Sequence, residues 1–470
     1  MKRLSGLLLV VFLFYICGYS QTLEEAKALY LKGEYSKALP VFENTIKKAP
    51  NNPSYNQWYG NCLLETGKLN ESEKYLKFAA SKNVKEAFQS LGKLYFILYR
   101  FKESEEAYEK YLDFLGKEKS VKEIEAFEKL RDQSKTAARL LTNCEDIQII
   151  DSVIVDKKNF LEKYPILSEE SGTVFELNGL SSYQNQLQDK RYYVKMDDKK
   201  KYHIYSQTKL MDNWSDETRL NLPVDVLSDD NYPFVLSDGI TIYYASTGLG
   251  SIGGYDLFIT RYNSTSETYF KSEQLGMPFN SPYNDYMMAI DEHNGVGYFA
   301  TDRFQPEDKV IIYTFIPNKE KTIIQTEDEN YLIDRAKITS IKQSQKKGVD
   351  YKSLLLQIKA DRQKSQEVIT KEFEFVINDN TVYNKLDDFR NPAAKQSFIQ
   401  YQDLSKQLAT LNNQLEENRK AYAEGNTAQK NNLTKSILAD EKKSENLTNQ
   451  CDDLAVKIRN TENKYLKNTR

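Results

Sequence analysis

Side chains suited to acid–base or metal chemistry are scarce in this chain. It has two histidines, His203 and His293, far apart and with no His-x-x-x-His spacing. That arrangement supports neither imidazole catalysis nor a zinc site. No nucleophile elbow, Walker loop or separated carboxylate pair stands out. Asp238, Asp256, Asp291 and Asp302 fall in turn sequences, where a carboxylate usually accepts hydrogen bonds from its own backbone. Cys62, Cys144 and Cys451 are too widely spaced for a metal cluster or a disulfide framework. Cys62 and Cys451 occupy apolar positions of helical patterns, which makes them core residues. No catalytic residue, metal site or cofactor is therefore expected. What remains is recognition chemistry, carried by aromatic and amide side chains. Trp214 and Tyr232 are the candidates for an exposed sugar-stacking platform.

The bulk composition narrows the partners. Lys+Arg is 65 against Asp+Glu at 68, a formal net charge of −3. Nucleic acid would need a basic stripe, so it is not an expected partner. Apolar residues make up 40% of the chain, enough for packed cores in roughly three domains. The 33 tyrosines and 22 phenylalanines suit half-buried strands and favour a β-rich middle. Lys2 and Arg3, the apolar run Leu7 to Ile16 and the small residues Gly18 and Ser20 describe a secretory signal peptide over residues 1–20. The run is too short to span a bilayer, which takes roughly 20 residues. Phe14, Tyr15 and Ile16 are too bulky for a lipobox before Cys17. No later segment is apolar enough to span. The mature protein is thus expected to be exported and unlipidated, in the periplasm or against the outer membrane.

Three helical units follow between 22 and 142. The first holds Ala26, Leu29, Gly33, Tyr35, Ala38, Phe42 and Pro50; the second Gly60, Leu63, Gly67, Leu69, Ser72, Leu76 and Ala79; the third Leu91, Gly92, Tyr95, Phe101, Ser104 and Tyr108. Small residues at Ala26, Gly60 and Gly92 let a paired helix approach. Glycines at 33 and 67 end the first helix of a hairpin with positive φ, and in the third unit Tyr99 stands in that place. Residues 119–142 read as a capping helix. The period of 34 between Gly33 and Gly67 resembles the tetratricopeptide repeat. The resemblance implies an α-solenoid whose first helices line a concave protein-binding groove, with Asn56, Tyr59, Gln89 and Tyr95 as candidate contacts.

From 146 to 383 the period changes to two, as in an all-β domain. One unit runs from Asn231-Tyr232-Pro233-Phe234 through Ser237-Asp238-Gly239 and Ile242-Tyr243-Tyr244-Ala245-Ser246 to Gly254-Tyr255-Asp256-Leu257-Phe258. A second runs from Tyr283-Asn284-Asp285-Tyr286 to Gly297-Tyr298-Phe299-Ala300-Thr301-Asp302-Arg303. A degenerate third holds Tyr192-Tyr193, His203-Ile204-Tyr205-Ser206 and Trp214. These blades resemble the TolB-type, WD40-like β-propeller repeat, and Leu275 to Ser281 resembles its inter-blade linker in Bacteroidota envelope proteins. Three blades are few for a propeller. Ile147 to Val155 and Phe373 to Tyr383 are spare strands that could complete or close the ring, with a helical insertion at about 330–370. Completion by another chain is the alternative.

Residues 397–470 carry a heptad pattern: Tyr401, Leu404, Leu408, Leu411, Leu415, then, past Gly425-Asn426, Leu433, Ile437, Leu447, Cys451, Leu454 and Ile458. This predicts an antiparallel coiled-coil hairpin, weakened by Asn418, Asp440 and Ser444 and open to pairing with a second chain. The expected whole is a multidomain α + β protein: solenoid, β-propeller-like domain, helical hairpin. The order of modules resembles periplasmic and outer-membrane-associated accessory proteins of Bacteroidota, including type IX secretion components. That resemblance implies a non-enzymatic scaffold or adaptor for envelope proteins, among them secretion or outer-membrane assembly components. The rival expectation is a glycan-binding or glycan-processing module on the aromatic blade face. An adhesin is a third use of the same modules.

Overall fold

A computed structural model describes residues 22–468 apart from 117–120, 163, 165–167, 211–212, 224–227, 249, 370–372 and 379–380. The expected signal peptide and Cys17 lie outside the described residues. The chain divides into two compact units, Met1–Ile358 and Lys359–Arg470.

Among the described residues the first unit opens with the helices α1 Leu23–Leu31, α2 Tyr35–Lys48, α3 Pro53–Glu65, α4 Leu69–Ser81, α5 Lys85–Ile97, α6 Phe101–Leu115 and α7 Val121–Thr142. Thr22 and Glu25 form a reciprocal capping box at the start of α1. Asn52 caps α3, and Pro53 takes its first turn, where no N–H is needed. Each hairpin turn uses one left-handed residue: Gly33 (φ +76°), Gly67 (φ +80°) and Tyr99 (φ +65°). The three turns share one bonding pattern, in which the next residue's N–H reaches the carbonyl of Leu29, Leu63 or Tyr95. Tyr99 therefore does the backbone work of a turn glycine.

Within each hairpin a glycine admits the partner helix. A Cβ on Gly60 would sit 2.9 Å from the Leu76 side chain, and one on Gly92 2.6 Å from the Tyr108 ring. The same approach lets Ser72 Oγ donate to Gly60 O and Ser104 Oγ to Gly92 O, both at 2.7 Å. Ser134 of α7 meets Ser104 at 2.9 Å, so α7 continues the stack.

Among the described residues, the strands of the first unit form three antiparallel sheets. The first comprises β2 Thr173–Leu177, β3 Leu180–Gln184, β4 Lys190–Met196 and β5 Tyr202–Leu210, with β6 Asn213–Trp214 and β7 Thr218–Arg219 on its edge. The second comprises β8 Asp230–Val235, β9 Thr241–Ser246 and β10 Asp256–Asn263, with β11 Thr268–Tyr269 and β12 Glu273–Gln274. The third comprises β13 Asp285–Asp291, β14 Val296–Thr301 and β15 Lys309–Ile316. Its fourth strand, β1 Gln148–Asp156, precedes all the others in sequence and pairs with β15, Ser152 opposite Tyr313. The strand at 147–155 thus completes the last sheet.

One apolar core draws on all three sheets, with Tyr192 and Ile204 from the first, Phe234 and Tyr244 from the second, and Met287, Tyr298 and Ile312 from the third. Phe160, Leu161 and Tyr164, on the connection from β1 to β2, enter the same core. Tyr164 Oη donates to Met287 O and Tyr298 O, each at 3.0 Å. Helices α8 Glu329–Lys337, α9 Ile341–Ser344 and α10 Lys352–Ile369 follow. Ser344 Oγ accepts the Ile149 N–H at 2.9 Å, covering the start of the β1 edge.

The second unit corrects one expectation. Strands β16 Phe375–Asn378 and β17 Thr381–Tyr383 pair with each other, not with the three sheets. Phe375, Ile377 and Tyr383 pack with Phe389 and Phe398, and with Ala455 and Ile458. The aromatic face of the ribbon finds its cover on α11 Pro392–Glu424 and α12 Thr427–Asn468. These two helices form the expected hairpin, broken at Gly425, with Leu411, Leu415 and Leu447 in its seam. The first helix starts earlier than residue 397, because Asn391 caps it ahead of Pro392.

Candidate interaction surfaces

The first helices of the three hairpins, α1, α3 and α5, meet along one face through polar and aromatic side chains. Lys27 Nζ lies 4.9 Å above the Trp58 ring. Gln57 Nε2 donates to Tyr30 Oη at 3.1 Å. Ser90 Oγ donates to Asn61 Oδ1 at 2.8 Å. Lys93 Nζ holds both Glu65 carboxylate oxygens at 2.7 Å. Helical geometry puts residues three and four apart on one stripe, so 57, 61 and 65 share a face on α3, as 89 and 93 do on α5. Tyr30 is largely buried, and burial pushes its hydroxyl up to about 12. Gln89 and Lys93 are exposed. This stripe offers amide, ammonium and indole groups to a polypeptide.

Of the four groove residues expected from sequence, Gln89 alone lies exposed on this stripe. Asn56 is 3% exposed, and its Nδ2 donates to Pro50 O and Asn52 O at 2.8 Å. Tyr59 is buried edge-on against Tyr75 of α4 at 4.7 Å, and burial raises its hydroxyl to about 12. Tyr95 is buried beneath the Arg100 guanidinium, 4.4 Å from its ring. Gln57 and Asn61 are as buried as Asn56, at 4% and 8% exposed, and are held by the bonds given above, so the groups this face turns to solvent are Lys27, Trp58, Glu65, Gln89 and Lys93. Of these, Glu65 had a sequence signal, the polar run Gln57, Asn61 and Glu65 at i, i+4, i+8.

The proposed sugar platform is not assembled. Trp214 sits on the edge of the first sheet with the Arg191 guanidinium 4.2 Å from its ring. Tyr232 belongs to the second sheet, at φ +54°, and packs on Phe160, Tyr255 and Tyr286 at 5.6–5.9 Å. A guanidinium thus stacks on Trp214, and aromatic neighbours pack around Tyr232, at the faces a sugar would need.

The solenoid is seated on the β body through Tyr99. This side chain is fully buried with Phe101, Ala137, Leu141, Ile252 and Met277. Its ring lies 6.4 Å from that of Phe304, and its hydroxyl feels the charges of Arg303 and Asp285. Arg303 is itself fully buried, donating to Pro278 O, Phe279 O and Asp285 at 2.7–2.8 Å. Gln133 Nε2 of α7 adds a bond to Ser251 O at 3.1 Å. The departure from glycine at position 99 is thus the anchor between two modules.

The titratable groups singled out by sequence are held structurally. His203 is buried between Asp197 (3.1 Å) and Asp230 (3.5 Å). His293 is exposed beside Glu170 at 3.1 Å. Asp238 accepts the N–H groups of Ile240 and Thr241 within its own turn. Asp291 binds Ser168 across the core edge as well as Asn294. Cys62, Cys144 and Cys451 are buried free thiols, and burial pushes those of Cys62 and Cys144 up to about 12. Among the described residues no cluster of His, Cys, Asp or Glu could hold a metal ion, and no helix is long and apolar enough to cross a membrane.

No curated protein matches the chain. The family model described as tetratricopeptide repeat matches residues 29–94, so the stretch from the end of α1 into α5 is similar to that family in sequence as well as in helical geometry.

Proposed function

We propose that this protein is a scaffold of the bacterial envelope that holds a segment of a partner protein on the face shared by α1, α3 and α5. The observation carrying this reading is the aligned stripe from Lys27 and Trp58 through Glu65 to Gln89 and Lys93, within a tetratricopeptide array. Such arrays are protein-interaction modules, and their first helices form the binding side. The signal-peptide pattern of residues 1–20 supports export to the periplasm or the outer-membrane surface. The likeness of the blade motifs to TolB-type repeats supports a place among Bacteroidota accessory proteins, including type IX secretion components. The hairpin of α11 and α12 is a candidate site for self-association.

The test is crosslinking in cells followed by affinity purification, comparing the native chain with Gln89→Arg/Lys93→Glu. Both side chains are exposed; Lys93→Glu removes the ion pair with Glu65, and an unchanged urea midpoint checks that the variant keeps the fold. Specific proteins captured by the native chain should fall at least tenfold with the variant. Undiminished capture would remove the helical face from the reading. Retention of envelope polysaccharide in place of protein would install the glycan reading instead.

A further inference from the structure

Where the last turn of α7 meets the β body, the surface opens into a cleft of about 580 Å³. Arg139 stands on the helical wall, Lys271 beside β12, and Lys321 on the chain leaving β15. Glu273 is the one acid among the lining residues, so the lining carries a net positive charge on a chain whose own balance is −3. Among the described residues neither Arg139 nor Lys271 has an ion-pair partner. Lys321 Nζ donates to Leu275 O at 3.2 Å. Glu145 senses Lys321, but its carboxylate accepts from Asn318 Nδ2 at 3.0 Å. Leu140 and Ile323 add apolar surface to the same lining.

The walls are fixed to one another. Asp146 N–H donates to Thr322 O at 2.7 Å, Ile324 N–H to Cys144 O at 3.0 Å, and Glu145 N–H to Met277 O at 2.8 Å. A recess whose sides are tied by backbone bonds is formed before a ligand arrives, which lowers the cost of binding. Its place, between two modules, is where binding sites concentrate.

We propose that this cleft binds an acidic segment of a partner polypeptide, with carboxylates on Arg139, Lys271 and Lys321 and one aliphatic side chain between Leu140 and Ile323. Charge complementarity selects the carboxylates. The apolar contact selects a peptide, since an inorganic anion or a polysaccharide has no aliphatic side chain to place there. The inference rests on the scaffold reading and adds a second contact surface to it.

The experiment uses the full chain without its first 20 residues, immobilised and panned with random dodecapeptides displayed on phage. The best peptide is then made with a fluorescein label and titrated by anisotropy, beside a counterpart with Glu and Asp changed to Gln and Asn. Selected peptides should be rich in acidic residues around Leu, Ile or Val. Arg139→Glu/Lys271→Glu/Lys321→Glu should weaken the labelled peptide at least tenfold, as should the amide counterpart, while Lys48→Glu, an exposed charge reversal on α2, leaves it unchanged. Should the triple variant unfold at lower urea, Lys271→Glu alone carries the test, with a loss of threefold or more. The proposal is overturned by selected peptides without acidic bias, by equal affinity for the charge-reversed chain, or by phosphatidylglycerol vesicles that outcompete the peptide through the same three residues. Failure here with capture on the helical face intact removes the cleft and leaves the scaffold reading standing.

Discussion

At the scale of single residues, the four turn aspartates divide: against burial, hydrogen bonds hold Asp238, Asp291 and Asp302 below the ordinary carboxylate value, whereas burial lifts Asp256 above it. Asp256 is fully buried and accepts from the N–H groups of Ile252 (3.0 Å) and Gly253 (3.1 Å) and from Gln274 Nε2 (2.5 Å). Burial first, and the charge of Asp285 second, push its carboxyl well above the usual carboxylate range. A folded value above the unfolded one contributes stability that is complete below the unfolded value and is lost as pH rises through the folded value. Asp302 has the opposite sign. Burial opposes its ionisation, but bonds from Tyr286, Lys157 and Asn284 outweigh it and hold the carboxyl below its ordinary value. Its contribution is lost as pH falls through that lowered value. Urea unfolding across pH should therefore show stability declining from the ordinary carboxylate range up to Asp256's raised value and levelling off above it, and Asp256→Asn should flatten that decline. An unchanged slope in the variant would assign the decline to another group. A turn signal names a carboxylate but not its surroundings. Asp238 keeps to its own turn, whereas Asp256, Asp291 and Asp302 reach Gln274, Ser168 and Lys157, partners that local spacing does not encode.

At the scale of elements, what was legible is what local sterics dictate. Gly60, Gly92, Ser72 and Ser104 announce the helical hairpins because each close approach is made within one repeat. Gly92→Ala tests this directly. Helix propensity alone would favour alanine by about 1 kcal/mol, but the new methyl would lie 2.6 Å from the Tyr108 ring. Overpacking of that kind costs about 1–3 kcal/mol, so a net loss of up to about 2 kcal/mol in urea unfolding is expected. A stabilised variant would mean that Tyr108 turns aside freely. The strands were legible as strands but not as pairs. Ile147 to Val155 and Phe373 to Tyr383 carry the same period-two signal, yet one joins β15 and the other folds on itself against Phe398. Alternation fixes which face is apolar; it does not say which distant strand supplies the hydrogen bonds. The helical hairpins were legible, and the burial of Asn56, Tyr59 and Tyr95 within them was not.

At the scale of the whole molecule, Tyr99 decides whether solenoid and β body behave as one. Tyr99→Gly keeps the turn, since the left-handed backbone suits glycine, and removes the anchor. Emptying a fully buried aromatic site costs about 3–5 kcal/mol, of which relief of left-handed strain returns about 1 kcal/mol. The chain's two tryptophans report separately, Trp58 from the solenoid and Trp214 from the β body. In Trp58→Phe and Trp214→Phe backgrounds the native chain should unfold in one transition seen alike by both, whereas Tyr99→Gly should part the two. Coincident transitions in the variant would place the coupling elsewhere, in Met277 or Gln133. The pairing of β1 with β15 has a consequence in time. The solenoid is built from local contacts and can form as soon as its helices emerge. By contrast β1, which leads the β body in sequence, finds its partner last. A chain made or exported from its N-terminus must carry an unzipped, β-branched edge until β15 arrives, and a truncation that loses Lys309–Ile316 would strand that edge permanently. Quality control of this protein would thus have one late checkpoint, at which the oldest strand meets the youngest.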